Sequence, residues 1–365
     1  HRTNDASTGG DEATVCTRIS LVLTVHEYGL MLALAGLRGL SPFLLIFVAY
    51  SYLDITHIRR MTKILVFLLL VEFCAACVRA KFGLAIHGLT YLGLAARPSG
   101  TFIAPSSWSV FLCFILCFMI GSDIHLFGRL RRKTWCLVGV TAFLVFMSGS
   151  GVGLLALAIA LGCWLLFLSR LSPYLKASLC PLFVFLAAGV WMFLPILTRR
   201  PAVFRSANTR IGILSDVFLS CNLKEFFLGQ GLGIGSNTAV TLGKMNPLVF
   251  DAGGAAFIAD SLYGSLMAQV GILFLLAFLM LNLWVFRRAL VARYSGVSPI
   301  VLLVIPVSLV GALGNVMTEV FPVNWLLFIL YGIALRNDMG EGGREVRGFG
   351  LEADCALAAG ASGCP

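Results

Sequence analysis

The sequence predicts an all-α integral membrane protein with about ten membrane-spanning helices and one large loop on the non-cytoplasmic side. Three observations carry that prediction. The 365 residues are 59% hydrophobic and only 12% charged, too apolar for a soluble core of this length. The apolar residues fall in blocks near the length that crosses hydrocarbon. Arginine and lysine gather in short turns that share one side when the blocks alternate.

Taken in order, a polar head at 1–18 precedes spans expected near 19–37, 40–57, 62–78, 108–128, 135–149, 151–168, 177–197, 260–286, 299–317 and 322–335. The head and the tail at 337–365, rich in Gly, Ala and charge, are expected to be disordered and cytoplasmic. The chain opens on His1 rather than Met, which leaves room for a missing N-terminal piece. Between the spans, "RLRRK" (Arg129 to Lys133), "SRLSPYLK" (Ser169 to Lys176) and "RRALVAR" (Arg287 to Arg293) mark the cytoplasmic side. Arg59, Arg60 and Lys63 join them if 79–107 does not cross the membrane, the topology adopted here. The segments 79–107 and 198–259 are then periplasmic loops. The formal charge of +10 reflects topology and anionic ligands rather than nucleic acid.

Both outer segments are basic. Arg79, Lys81 and Arg97 lie in the first; Arg199, Arg200, Arg205, Arg210, Lys224 and Lys244 lie in the second. Cations there oppose the bias that sets topology, so an anionic ligand or lipid headgroups must hold them. In the second segment Asn208 is a candidate N-cap, and Ile211, Leu214, Val217, Phe218 and Cys221 recur at helical spacing on one face. Arg210 would stand in the first turn of that helix, unfavourable beside free amides unless an anion is bound to both.

"GQGLGIG" (Gly229 to Gly235) lacks the Walker lysine and the flanking strand of a nucleotide loop, and serves better as a close backbone turn. Asp260 opens the next span, either as a cap or as a base facing the basic loop. Gln269 and Gly271 suit helix packing. "MSGSGVG" (Met147 to Gly153) joins two helices with almost no side chain. Glu72, Asp123, His125, Asn282 and Asn315 are the polar positions inside the bilayer that need an account. Of the eleven cysteines, Cys74 and Cys77 form a CxxC with no His or second CxxC to complete a metal site.

Together these stretches resemble the O-antigen polymerase and ligase superfamily, membrane glycosyltransferases that use lipid-linked sugars. The resemblance rests on Arg97, Gly100, Thr101 and Phe102 with Pro105; on Ser148, Gly149 and Ser150; on Arg210; on Gly231, Gly233 and Gly235; and on the run from Asp260 through Gly271. It covers about two thirds of the chain, and the shared order of motifs is more specific than any one of them. Two departures stand out. Gly151 occupies a place where many relatives have arginine, and the large loop has no histidine of the ligase kind.

The resemblance therefore implies a polymerase of the xanthan or succinoglycan kind in the bacterial inner membrane, with an O-antigen ligase or a lipid-linked-glycan transporter as alternatives. It implies Arg210 and Asp260 as catalytic groups, and Arg97, Arg205, Thr101, Tyr263 and Glu319 as substrate contacts, with Trp108 beside them. The implied substrate is an oligosaccharide on undecaprenyl diphosphate, with no metal and no cofactor. Membrane lipids, a chain-length regulator and export proteins are the implied partners, and nucleic acid is not among them.

Overall fold

The computed structural model describes residues 30–82, 99–102, 105–179, 181, 222–234, 261–294, 296–314 and 322–336. Among them every regular element is helical. In chain order these are α1 (Leu30–Leu40), a 3-10 turn (Ser41–Leu44), α2 (Leu45–Tyr52), α3 (Ile55–Phe82), α4 (Pro105–Phe127), α5 (Arg132–Ser148), α6 (Gly151–Cys163, continued by a π turn over Trp164–Leu168), α7 (Leu223–Leu228), α8 (Leu262–Val291), α9 (Ser298–Gly314) and α10 (Val323–Arg336). Four helical stretches are long and apolar enough to cross a membrane: Ile55–Arg79, Pro105–Phe127, Gly151–Leu168 and Leu262–Val291. The helices α9 and α10 are apolar but shorter.

The first expected boundary is not where composition put it. The chain does not turn between 37 and 40; it stays in helical backbone from 30 to 52. Pro42 cannot donate to the carbonyl of Arg38, and the Ser41 hydroxyl donates there instead at 2.8 Å. The helix tightens into a 3-10 turn and continues. The real break comes at Leu53, which is extended. There the Arg336 guanidinium donates to the carbonyls of Ser51 and Leu53, both at 3.1 Å, capping α2 from the far end of the chain. Asp54 then opens α3 by accepting from the Thr56 amide at 2.9 Å. The basic pair Arg59 and Arg60 thus lies in the first turns of a helix that begins at Ile55, not in a loop before residue 62.

Buried positions on α3 recur at Ile58, Leu65, Leu69, Glu72 and Ala76, one stripe of a helix whose other face is exposed and apolar at Ile64, Phe67, Leu70 and Phe73. On α8, Leu273, Leu276, Met280 and Leu283 are exposed at the same kind of spacing. Such stripes are stable against hydrocarbon and costly against water.

At the centre stands α4, buried continuously from Trp108 to Ile124. It packs against α3, α5, α6 and α9. Small residues set the closest approaches: a Cβ on Gly121 would lie 2.7 Å from the Ile300 Cα, and one on Gly153 would lie 2.2 Å from the Ser109 hydroxyl.

From α2 to α6, and again from α8 to α10, successive helices alternate in direction. One end of the bundle holds the α2–α3 break, the α4–α5 turn, the end of α6, the α8–α9 turn and the end of α10. Gly128 meets the Arg170 guanidinium there, and Gly296 meets Ile55. That end carries Arg59, Arg60, Arg129, Arg131 to Lys133, Arg170, Lys176, Arg287, Arg288, Arg293 and Arg336. Asp123 closes the α4–α5 turn. It is 3% exposed and takes the Arg131 amide at 3.1 Å, the Arg131 Nε at 2.9 Å and the Thr134 hydroxyl.

Two measurements check these junctions. The Thr56 hydroxyl and then His57 hold the Asp54 carboxyl down at about 2. A depressed carboxylate contributes its cap above the unfolded pKa of about 4 and loses it as pH falls through the folded value. The Thr56 amide proton should therefore titrate near pH 2, and the Asp54→Asn variant should show no such titration. The Asp123→Ala variant should lose about 1–3 kcal/mol of thermal stability, the worth of hydrogen bonds to a charged group, because Arg131 is left half-exposed rather than buried alone.

Candidate functional site

The end opposite the basic turns holds the sequence motifs that lie among the described residues. At its edge, α3 finishes and α4 begins, and a tight turn at Ser99–Phe102 lies between them, its Phe102 amide donating to the Ser99 carbonyl at 2.9 Å. Two side chains of α3, Glu72 and Arg79, are seven residues apart and therefore on one face. Glu72 accepts the Thr101 amide at 2.8 Å and the Thr101 hydroxyl at 2.5 Å. Arg79 Nη1 donates to the Ser99 hydroxyl at 2.6 Å and to the Phe102 carbonyl at 2.9 Å. The two charges thus hold the turn rather than each other; the ion pairs among the described residues are Asp54–His57 and Asp123–Arg131.

Gly100 is required at the centre of this turn. Its φ is +54°, and a Cβ there would lie 1.9 Å from Glu72 Oε2 and 2.3 Å from Trp108 Nε1. Trp108, in the first turn of α4, is 0% exposed, and its indole N–H finds no acceptor among the described residues. Phe102 rests against Phe111 with ring centroids 5.2 Å apart.

Next to Trp108, Ser109 meets Gly153 at the start of α6, so the Gly-Thr-Phe turn and the Ser-Gly-Ser junction are neighbours across α4. The junction is built from caps. Gly149 ends α5 in the left-handed region, and Ser150 opens α6 by accepting the Gly153 amide at 3.2 Å.

The glycine-rich turn lies at the same end. Asn222 and Glu225 form a capping box that starts α7, and Gly229 stops it. The turn that follows is buried, wedged between α1 and a break in α8. Gly271 sits inside α8 with φ 78° and ψ −179°, which frees the Ala268 carbonyl from its helical partner. The Gln230 amide takes that carbonyl at 2.7 Å, and the Gly233 amide donates to the Gln269 side chain at 3.0 Å. On the other side, a Cβ on Gly36 would lie 2.2 Å from the Gly233 nitrogen. The Gln230 and Gly233 backbone amides are thus directed into the protein, where this turn packs α7 and α8 against α1.

Of the residues expected at the site, Thr101 and Tyr263 are placed. The Thr101 hydroxyl is committed to Glu72, although the residue itself is exposed. The Tyr263 hydroxyl donates to the Leu309 carbonyl at 2.7 Å and, with Ser261 donating to the Ala312 carbonyl at 3.1 Å, ties the head of α8 to α9. Arg97, Arg205, Arg210, Asp260 and Glu319 lie outside the described residues, as do Asn208, the helix expected after it and Asn315. In the sequence Glu72 is one of several polar positions inside the bilayer and Arg79 one of several basic residues in an outer segment. Their spacing from Leu65, Leu69 and Ala76 was the available signal, since it puts both charges on the packed stripe of α3.

Helical spans, apolar outer stripes and a basic end make this chain an integral membrane protein of the all-helical class. It matches no protein-family model and no curated protein.

The turn can be tested without an activity assay. Gly100→Ala forces a left-handed alanine against two polar atoms and should lower stability by at least about 2 kcal/mol. Gly139→Ala, in α5 with nothing within 4 Å of the added Cβ, should raise it by about 0.5–1 kcal/mol. Thermal unfolding of both variants in bilayer discs compares them directly.

Proposed function

We propose that the chain is a metal-independent membrane glycosyltransferase, a polysaccharide polymerase that joins oligosaccharide repeat units carried on undecaprenyl diphosphate. The basic end of the bundle is its cytoplasmic face and the motif-bearing end its periplasmic face, in the inner membrane of a bacterium. The observation that supports this reading most is the clustering of the Gly-Thr-Phe turn, the Ser-Gly-Ser junction, the glycine turn and the head of α8 at the end away from the basic turns. The ten-span topology with a large outer loop belongs to the same proposal.

On this reading Arg97, two residues ahead of Ser99, and Arg210 and Arg205 of the large loop grip the diphosphate. The acceptor hydroxyl of one repeat unit attacks the anomeric carbon of another. The new glycosidic bond forms as the bond from that carbon to the phosphate oxygen breaks, and undecaprenyl diphosphate leaves with the electron pair. Guanidinium groups stabilise the charge that grows on the leaving group. Asp260 takes the proton from the acceptor hydroxyl, while Tyr263 and Glu319 border the sugar.

One observation favours a second reading. A helix broken inside the bundle, as α8 is at Gly271, recurs in transporters. Here the freed Ala268 carbonyl is already taken by Gln230, which leaves it less open to an ion.

Purified protein in bilayer discs, given lipid-linked repeat units, should build a ladder of glycan lengths. Arg97→Ala and Arg210→Ala should each cut its rate by about 100-fold or more, the scale of losing one transition-state donor. Normal polymer from both variants at normal protein level would overturn the reading, and flux of the lipid-linked unit across vesicles without glycan growth would establish the transporter.

A further inference from the structure

The basic end of the bundle is not uniformly basic. Several of its cations are spent inside the protein. Arg131 pairs with Asp123 at 2.8 Å and lies over the Phe127 ring, the Lys176 ammonium donates to the Leu166 carbonyl at 3.1 Å, and Arg336 caps α2. Arg129, Arg132, Lys133 and Arg170 are exposed and make no hydrogen bond or ion pair with a described residue. They are also gathered. The first three flank Arg131 in the α4–α5 turn, and the Arg170 guanidinium comes to that turn from the end of α6, 3.0 Å from where a Cβ on Gly128 would stand. Among the described residues Asp123 is the one carboxylate of the turn, and Arg131 and Thr134 already hold it. Like charges brought together from two elements repel unless an anion lies between them.

The neighbours of these charges identify the anion. One turn further along α5, Trp135 is 47% exposed and meets Trp164, which opens the π turn of α6, edge to face with ring centroids 5.3 Å apart. Beyond Trp135 the exposed face of α5 continues through Val140 and Phe143. At about 1.5 Å per residue, Trp135 stands about 4.5 Å and Phe143 about 16 Å deeper than Arg132 along the helix axis. Charge, then indole, then hydrocarbon is the order met on entering a bilayer. It is also the order of phosphate, glycerol and acyl chain within one phospholipid. A free phosphate or an acidic peptide would use the charges and leave the apolar face uncovered.

We propose that the α5–α6 face at the basic end is a binding site for an anionic phospholipid. Its phosphate is held by Arg132, Lys133 and Arg170, its glycerol lies beside Trp135 and Trp164, and an acyl chain runs along Phe143. The bonds from Arg131 and Thr134 to Asp123 fix the turn that carries the charges, so the site is formed before the lipid arrives. This inference rests on the membrane class of the chain and not on the glycosyltransferase reading.

The test uses the full chain in phosphatidylcholine discs that carry a minor fraction of lipid with brominated acyl chains, either phosphatidylglycerol or phosphatidylcholine. Bromine quenches indole fluorescence on contact, and the Trp135 contribution is the part lost in Trp135→Phe. Brominated phosphatidylglycerol should quench that contribution at a lower fraction than brominated phosphatidylcholine does. Arg132→Gln and Arg170→Gln should each weaken this preference about fivefold, the effect of one cation at an anionic lipid surface. Arg59→Gln, on α3 and outside the cluster, should leave it unchanged. All three arginines are exposed, so the substitutions leave the packing intact. Equal quenching by the two lipids would overturn the site, as when a carboxylate from outside the described residues already neutralises the cluster. So would an equal loss in Arg59→Gln and Arg170→Gln, the mark of charge spread over the whole end rather than a site.

Discussion

A backbone group freed by a bend or break must find a new partner, at membrane depth one within the protein since hydrocarbon offers none, and in this bundle protein groups take that part at the ends as well. That constraint organises this bundle. Pro42 frees the Arg38 carbonyl, and Ser41 takes it. The end of α2 frees the Ser51 and Leu53 carbonyls, and Arg336 takes both. The start of α5 presents an amide at Arg131, and Asp123 of α4 accepts it. Gly271 frees the Ala268 carbonyl, and Gln230 donates to it. In three of the four cases the partner comes from another element, so satisfying the backbone also fixes how elements sit against one another.

Packing supplies the rest. Because α4 is enclosed on all sides, its neighbours approach through small residues, Gly121 against α9 and Ser109 against Gly153 of α6. One methyl group at either place would push two helices apart. Polar residues in the spans follow the same logic. Asn282 of α8 donates to the Phe278 carbonyl of its own helix at 2.7 Å and accepts from the Tyr331 hydroxyl of α10, and the second of these bonds joins the two helices. Such pairs set which helices meet, and leave few polar groups over.

The exceptions stand out against that background. Glu72 and Arg79 are spent on a short turn and not on another helix. Trp108 beside them has an indole N–H without an acceptor among the described residues. A charged pair placed seven residues apart on α3 makes the turn rigid from both sides, and a rigid turn at the end of a bundle can present neighbouring residues to a ligand without further ordering cost. This links the packing of α3 to the chemistry proposed for the motif-bearing end.

Class, the placement of most helices and the pairing of the Ser148–Gly153 junction with a helix-to-helix turn were legible in the sequence, since each depends on local quantities: block length, hydropathy and the caps that Gly149 and Ser150 provide. The glycine turn was likewise readable as a backbone device, because the lysine of a phosphate loop was missing. The continuity of 30–52 was not readable: Pro42 signals a break, and only the Ser41 bond and the packing of α2 along α10 keep the helix going. The α8 break was not readable either, because a lone Gly271 in an apolar run has the signature of a packing glycine, and the Gln230 amide that satisfies the Ala268 carbonyl lies 38 positions away in the chain. The partnership of Glu72, Thr101, Gly100 and Trp108 spans 37 positions in the chain, and hydropathy registers Glu72 only as an isolated charge. Local sequence determines which segments enter the membrane, because transfer free energy sums residue by residue. Tertiary structure alone decides which polar atoms meet and which is left over, because a hydrogen bond depends on two positions at once.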